Sequence, residues 1–593
     1  MNFLTRLGRD VAGNTIAIVA AAMIPLVAMI GSGVDMSRAY MVESRLQQAC
    51  DAGVLAGRKQ MEATGWNSTA SNAATDYFEV NYQEDYLGSQ NLTFTPTNPS
   101  GTTVVQGVAS VDVPTAIMHF FAIDEFDVSV SCEADVNMGN TDVTFVLDTT
   151  GSMVCPSDAD PSACSGYIGT HGIVEGRSYG SYSTTSRLSA LESAVENFYT
   201  TLDTAVGSAS TRVRYGFVPY TGTVNVGYLL NPSWIADSHN YQSVERVTTT
   251  TTTPAGWEVH YTSSSIPQGS CGYYSGTWHG TRIYGSWVSG QCVFRDWHSA
   301  STSTSTTTEL KQRTLNVSSY KTGASVADPT GIRGGSFTWD GCIEERQTTP
   351  ATSFSYNSSA DSITPAAALD LDIDSAPTAS DSTKWKPYWP EVVAYRAMNT
   401  TTASGGSWSQ TSCPHSAALL ATYANVTAVS NYLDNLVADG GTYHDIGLLW
   451  GARISSPTGI FSTNVNATPS NGNAVDRHII FMTDGTLDPG DSYYHAYGVE
   501  RHDGRITGMQ TSISSSDVID QQKANINSRI AALCSAIKGK GIRLWVVAFN
   551  TALTSQLTSC ASPNSSFTAD NSAELNSRFQ SIAENIADLR LTD

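Results

Sequence analysis

Residues Thr15 to Val34 are twenty consecutive positions without a charge. At about 1.5 Å per residue a helix of that length covers a hydrocarbon core of about 30 Å. A retained anchor over 15–34 is expected rather than a secretory signal peptide, because the stretch is long and no small-x-small cleavage pattern follows it. Arg6 and Arg9 precede the run and Arg38 and Arg45 follow it, so basic residues alone do not orient the span. The cysteines do. There are ten, an even number, with no C-x-x-C and no Cys/His metal spacing. Disulfides need an oxidising compartment, which places residues 1–14 in the cytoplasm and the large C-terminal part in the periplasm or at the cell surface. Cys534 on a helix and Cys560 just past a strand form the firmest pair. Cys155 with Cys164 and Cys271 with Cys292 are close enough in sequence to staple loops, and Cys342 with Cys413 and Cys50 with Cys132 follow by elimination. A formal charge of −22 and a pI near 4.8, with no basic stretch, exclude nucleic acid as a general partner. At 593 residues, at least two folded units are expected.

Past the apolar run the helical spacing continues from Asp35 to Met61, with Tyr40, Leu46, Ala49 and Val54 as spaced apolar positions. The period then becomes two. Leu92-Thr93-Phe94, Val104 to Val113 and Phe126 to Val136 read as antiparallel strands, making a pilin-like helix-plus-sheet region over 35–140. Between Arg9 and Arg58 stand Arg9-Asp10-Val11-Ala12-Gly13-Asn14, Val34-Asp35-Met36-Ser37-Arg38-Ala39-Tyr40 and Arg45-Leu46-Gln47-Gln48-Ala49-Cys50-Asp51-Ala52. This pattern resembles the amino-terminal region of tight-adherence (Flp) pilus assembly proteins of the TadE/TadG type, which implies other pilus components as partners. Processed pilin-like relatives are cut after a Gly and carry Glu at the fifth position beyond it. Counted from Gly13 that place holds Ile18, which argues against such cleavage.

Three distant segments then combine into a candidate site: Asp148-Thr149-Thr150-Gly151-Ser152, Gly440-Gly441-Thr442 and Thr483-Asp484-Gly485. The first follows the apolar run Val143 to Leu147 and the third follows His478 to Met482, so both fall where a buried parallel strand would end. Ligands of open α/β sheets gather at that edge. Every candidate donor is a hydroxyl or a carboxylate, which suits Mg²⁺ or another hard divalent cation and offers nothing to select zinc. The segments resemble the metal-ion-dependent adhesion site (MIDAS) of the von Willebrand factor A domain, Asp-x-Ser-x-Ser plus a later Thr and Asp. Asp148, Thr150, Ser152, Thr442 and Asp484 fill its five places, with Thr150 supplying the hydroxyl of the first Ser. The resemblance implies that hydroxyls touch the ion, that the carboxylates act largely through water, and that a protein partner's carboxylate completes the shell. TadG-like proteins carry an A domain after their amino-terminal region, the order found here.

The remaining elements extend the same expectation. Arg187, Leu188, Leu191, Ala194, Val195 and Phe198 fall at helical spacing, and Val213 to Val218 reads as a strand. Helices are expected over Ala417 to Val437, over Asp445 to Ser455, across Ile519 to Ile537 and from Leu575 to Leu589, with a strand at Ile542 to Phe549. Alternating strands and helices predict an α/β, doubly wound (Rossmann-like) von Willebrand A domain over 141–230 and 411–593. Residues 231–410 interrupt it with Thr and Ser tracts and nine of the twelve tryptophans. Too aromatic for a disordered linker, this reads as a disulfide-stapled, strand-rich insertion, whose rings form either a binding platform or the core of a small unit.

No G-x-S-x-G elbow, H-E-x-x-H pair or Walker loop occurs, and no general base stands out beside the candidate ion site, so an enzyme is not expected. The acidic stretch Asp484 to Asp503 misses the EF-hand spacing. The expected function is a membrane-anchored component of tight-adherence pilus assembly that binds a protein partner through a divalent cation. The alternative is a surface or pilus-tip adhesin that uses the same site and the aromatic insertion on host or abiotic surfaces.

Overall fold

The computed structural model describes residues 11–99, 104–134, 140–157, 186–206, 211–273, 275–278, 281–394, 413–510 and 512–587. Anchor run and stalk are one helix, Val11–Thr64, and it is long and apolar enough to cross a membrane. A second helix, Ser68–Asn81, starts where the Asn67 side chain accepts the Thr69 and Ala70 N–H groups. Strands Gln90–Thr97, Val105–Pro114 and Glu125–Ala134 follow as an antiparallel sheet in that order. The sheet buries alternate residues, Val105, Ala109, Val111 and Val113, against Val42, Leu46, Ala49 and Val54 of the long helix. The Cys50–Cys132 disulfide ties that helix to the last strand.

A six-stranded sheet forms the centre of the rest, in the order Ala418–Ala421, Val213–Tyr220, Asn140–Asp148, Val475–Thr483, Arg543–Phe549, Ser566–Ala569. Four pairings are parallel, and Ala418–Ala421 closes one edge antiparallel. Val143, Phe145 and Leu147 point to the face covered by helices Arg187–Val206 and Ser572–Ala587. Val146 faces the other way, with Ile479 and Phe481, toward helices His444–Ser455 and Ser515–Gly539.

Tyr241, Trp339, Trp385 and Trp389, from the interval 231–394, share this second core with Val146 and Trp450. The middle of the interval behaves differently. Ser238–Thr253 pairs antiparallel with Ser301–Asn316 along sixteen residues of each. At the far end of that ribbon sits a four-stranded sheet ordered Gly256–Ser263, Gln291–His298, Thr281–Val288, Ser275–Trp278, stapled by Cys271–Cys292.

These observations correct the expected fold class, an α/β doubly wound von Willebrand A domain. Of the twenty-three strands among the described residues, seventeen lie in seven sheets that are antiparallel throughout, and the six-stranded sheet itself has an antiparallel edge. The chain is strand-rich: a long N-terminal helix followed by many small antiparallel sheets. The strands of the Thr- and Ser-rich interval, expected as an insertion, outnumber those of the central sheet. Antiparallel pairing needs only an extended, β-branched pair of segments and a turn, which Thr248 to Thr253 and Ser301 to Thr308 supply. The helix expected over Ala417 to Val437 is also corrected, to a strand followed by helix Val426–Leu433. Asn425 caps that helix by accepting the Ala428 N–H at 3.0 Å.

Four expected disulfides are present: Cys50–Cys132, Cys271–Cys292, Cys342–Cys413 and Cys534–Cys560. Cys155 is also disulfide-bonded, and its expected partner Cys164 lies outside the described residues.

Candidate functional site

Asn140–Asp148 is buried along its whole length and runs parallel to Val475–Thr483, with Leu147 opposite Met482. Two adjacent strands ending in register therefore carry Asp148 and Asp484 to the same rim of the sheet. The chain turns directly after Asp148, whose Oδ1 accepts the Thr150 N–H at 3.0 Å. This local side-chain turn is the habit of Asp before a small polar pair. The short helical turn Gly151–Val154 follows and aims Ser152 across the rim. Its hydroxyl donates to Asp484 Oδ1 at 2.7 Å and lies 3.1 Å from Thr150 Oγ1.

The third segment is stitched to the first through the backbone. Gly151 N–H donates to Gly440 O at 3.0 Å, and Asp439 N–H to Thr149 O at 2.9 Å. Gly440 has φ +84°, a left-handed conformation that favours glycine. Buried Thr442 stands two residues further on, and its carbonyl accepts the Asp488 N–H at 3.1 Å. All three sequence segments thus meet at one edge, with Ser152, Thr150, Asp148 and Asp484 in a connected polar cluster.

Four further side chains complete it. Tyr220 and Thr483 hydroxyls both donate to Asp148 Oδ2, at 3.2 and 2.8 Å, so this carboxylate is held from two sides. His444 Nε2 lies 3.0 Å from Thr483 Oγ1, and burial pulls its imidazole down to about 3, leaving it neutral. Arg187 is buried and pairs with Asp484 Oδ2 at 2.9 Å. In the sequence Arg187 counts only as the first member of a helical apolar row, and nothing there distinguishes it as an ion-pair partner. Tyr220 is a strand-end residue that the apolar pattern does not single out, whereas Thr483 stands in the third sequence segment.

Burial pushes the Asp148 carboxyl up to about 7, and the neighbouring Asp484 adds to the rise. Burial also raises Asp484, against the opposing effects of Arg187 and Ser152. Two carboxylates face one guanidinium, so the cluster retains one excess negative charge when both are ionised. Among the described residues no group of three or more His, Cys, Asp or Glu side chains gathers to hold a metal, at this cluster or elsewhere. On the other side of the Gly440–Thr442 loop lies a cleft of about 430 Å³ walled by Tyr388, Tyr443, Tyr493, Tyr494 and His495.

Residues 13–72 match the Flp pilus-assembly TadE/G-like (Tad) family. This associates the N-terminal helical end of the chain with pilus assembly, as its residue pattern implies. No curated protein matches the chain in sequence. Among solved structures, the open conformation of the pilus adhesin SpaC from Lactobacillus rhamnosus GG aligns at 9% identity and a TM-score of 0.27. That alignment covers 84% of this chain and 33% of SpaC. The PilB minor pilin from Streptococcus sanguinis aligns at 10% identity and a TM-score of 0.29, covering 84% of this chain and 78% of PilB. This chain therefore spans about a third of SpaC. Superpositions this loose carry no argument about the site. The matches lend no support to the von Willebrand half of the expected resemblance.

Proposed function

We propose that this chain is a membrane-anchored, pilus-associated component that binds a protein partner through a divalent cation held at the rim of the six-stranded sheet. One observation carries the reading. The Ser152 hydroxyl and the Asp484 carboxylate, 332 positions apart, meet at 2.7 Å beside Thr150 and Asp148. A hard ion such as Mg²⁺ fits this all-oxygen donor set and its excess negative charge. Ser152, Thr150 and Thr442 would offer hydroxyls and Asp148 and Asp484 carboxylates. The ion would supply an electrophilic centre for an incoming carboxylate. Tyr220 and Thr483 hold Asp148 in place, and Arg187 keeps Asp484 oriented. Partial neutralisation by a single arginine leaves room for an acid from outside. This arrangement serves binding rather than turnover.

The N-terminal helix supports a single-pass anchor in the cytoplasmic membrane, and the disulfides support an oxidising location for the rest. Calorimetric titration of the detergent-solubilised full chain with Mg²⁺ and Mn²⁺ tests the site. Saturable binding is expected, with a loss of at least tenfold in affinity in Asp148→Ala. Equal affinity in the two proteins would sink the metal assignment.

A second reading, that of a surface adhesin, is favoured by the exposed aromatics of the ribbon-borne sheet, Trp257, Trp297 and Tyr284 among them. Protease treatment of intact cells separates the two. An assembly factor held at the inner membrane survives it, and a surface adhesin is cut.

A further inference from the structure

The segment between strands Val105–Pro114 and Glu125–Ala134 is bound to the long helix at one height. Asp35 Oδ1 accepts the Ala116 N–H at 2.9 Å, and Oδ2 accepts the Ile117 and Met118 N–H groups at 2.9 and 2.8 Å. Arg38 adds bonds to the Pro114 and Leu87 carbonyls at 3.2 and 2.7 Å. Gly31 lies flush against Ile117: a Cβ there would stand 2.3 Å from Ile117 Cγ2. Gly31 and Asp35 are one helical turn apart, about 6 Å along the axis. Ile117 therefore reaches past Asp35, the first charge after the apolar run, and alongside the run's last turn. Beyond it the short turn Met118–Phe121 leaves Phe120 83% exposed, with Ile123 also exposed and Phe121 partly so. The helix surface near this level, Met29, Ile30 and Val34, is equally bare.

We propose that this loop is an interfacial foot, which seats Phe120 with Ile117 and Ile123 in the boundary between lipid headgroups and acyl chains. The proposal rests on the membrane-anchor reading of the helix. Lipid is the occupant because the loop's apolar surface is continuous with the helix surface that the bilayer would cover. Aromatic rings favour the interface, where interfacial elements sink about 5–10 Å. His119 and Asp124, paired at 2.6 Å and largely exposed, together with Glu125 and Asp127, keep the rest of the loop in water. The Asp35 clamp fixes how far the foot reaches.

Spin labels at Phe120→Cys, Val19→Cys and Thr95→Cys, in the full chain reconstituted into phosphatidylglycerol/phosphatidylethanolamine nanodiscs, test this by power saturation. Among the described residues no native cysteine is free to take a label. Labels at 19 and 120 are expected to be several-fold more accessible to oxygen than to a water-soluble nickel chelate, with the reverse at 95. A lipid-exposed label at 19 with a water-exposed label at 120 would overturn the foot and leave the anchor standing. A water-exposed label at 19 would overturn both. A label at 120 shielded from both reagents and broadened by a neighbouring spin would replace lipid with a second copy of this chain.

Discussion

Residues 254–300 and residues 317–394 both draw on Trp, Tyr, Ser and Gly, yet the first stretch leaves Trp257, Trp297, Tyr261 and Tyr284 exposed, whereas the second buries Trp339, Trp385 and Trp389. Trp257 and Trp297 are 65% and 52% exposed, and they meet each other edge to face across paired strands. Trp385 and Trp389 are fully buried. The difference lies in the charged neighbours. Glu345 accepts the Trp385 and Trp450 indole N–H groups, at 3.1 and 2.5 Å, and pairs with Arg453 at 3.0 Å. Arg529 pairs with Asp370 and Asp445, all three buried. Both networks join residues 317–394 to the helices His444–Ser455 and Ser515–Gly539. Glu258 and Asp296, opposite each other on the ribbon-borne sheet, have no such helix to reach. Trp385 becomes core where Glu345 satisfies its indole N–H while also holding Trp450 and Arg453, and Trp389 is buried by stacking on Tyr320 at 4.0 Å.

Removing one member of the seam should have the largest effect. Glu345→Ala leaves Arg453 and two indoles facing an empty site, and a loss of about 3–5 kcal/mol is expected in urea unfolding. A loss below about 1 kcal/mol would show that the seam is not what joins the two parts. Trp389→Ala should cost about 3–5 kcal/mol as a cavity, whereas Trp257→Ala should stay within about 0.5 kcal/mol. Similar values for the two would erase the contrast. The double change Cys271→Ser with Cys292→Ser should lower local stability by about 3 kcal/mol, the scale for a loop of about twenty residues. Faster amide exchange should be confined to 256–298; exchange spreading into the six-stranded sheet would mean that the ribbon does not insulate its tip.

A separate effect is one of pH. Burial pulls the Lys386 ammonium down to about 7. A lysine whose folded value is depressed contributes stability above its ordinary value near 10.5, and loses it as pH falls through about 7. Wild-type melting temperature should therefore gain a component that rises between pH 7 and 10, and Lys386→Met should remove it. Parallel profiles for the two proteins would place this lysine in water.

Much of the candidate site was legible in the sequence because its parts are short, contiguous and placed behind apolar runs. The ends of the apolar runs locate the segments that hold Asp148 and Asp484, and the choice of Asp148, Thr150, Ser152, Thr442 and Asp484 within the three segments came from the resemblance to the metal-ion-dependent adhesion site. Arg187 was not legible, since one arginine at a helical apolar position gives no hint of the carboxylate it meets 297 positions later. The pilin-like region was read from a change of period, and its three strands follow that period. The overall class was misjudged because the alternating strands and helices of 141–230 and 411–593 were taken to define it, while the strand-rich interval 231–410 was treated as an insertion. Trp408 and Cys164 lie outside the described residues.

The Cys50–Cys132 bond has a mechanical meaning. Cys132 lies two residues before the end of strand Glu125–Ala134, the end from which the chain continues toward the six-stranded sheet. Tension applied through the distal part of the chain enters at Ala134 and passes almost at once, through a covalent link, into the long helix. The three strands behind that link are spared the pull. A bound partner would tug on the helix itself, and the small sheet beside it would ride unloaded.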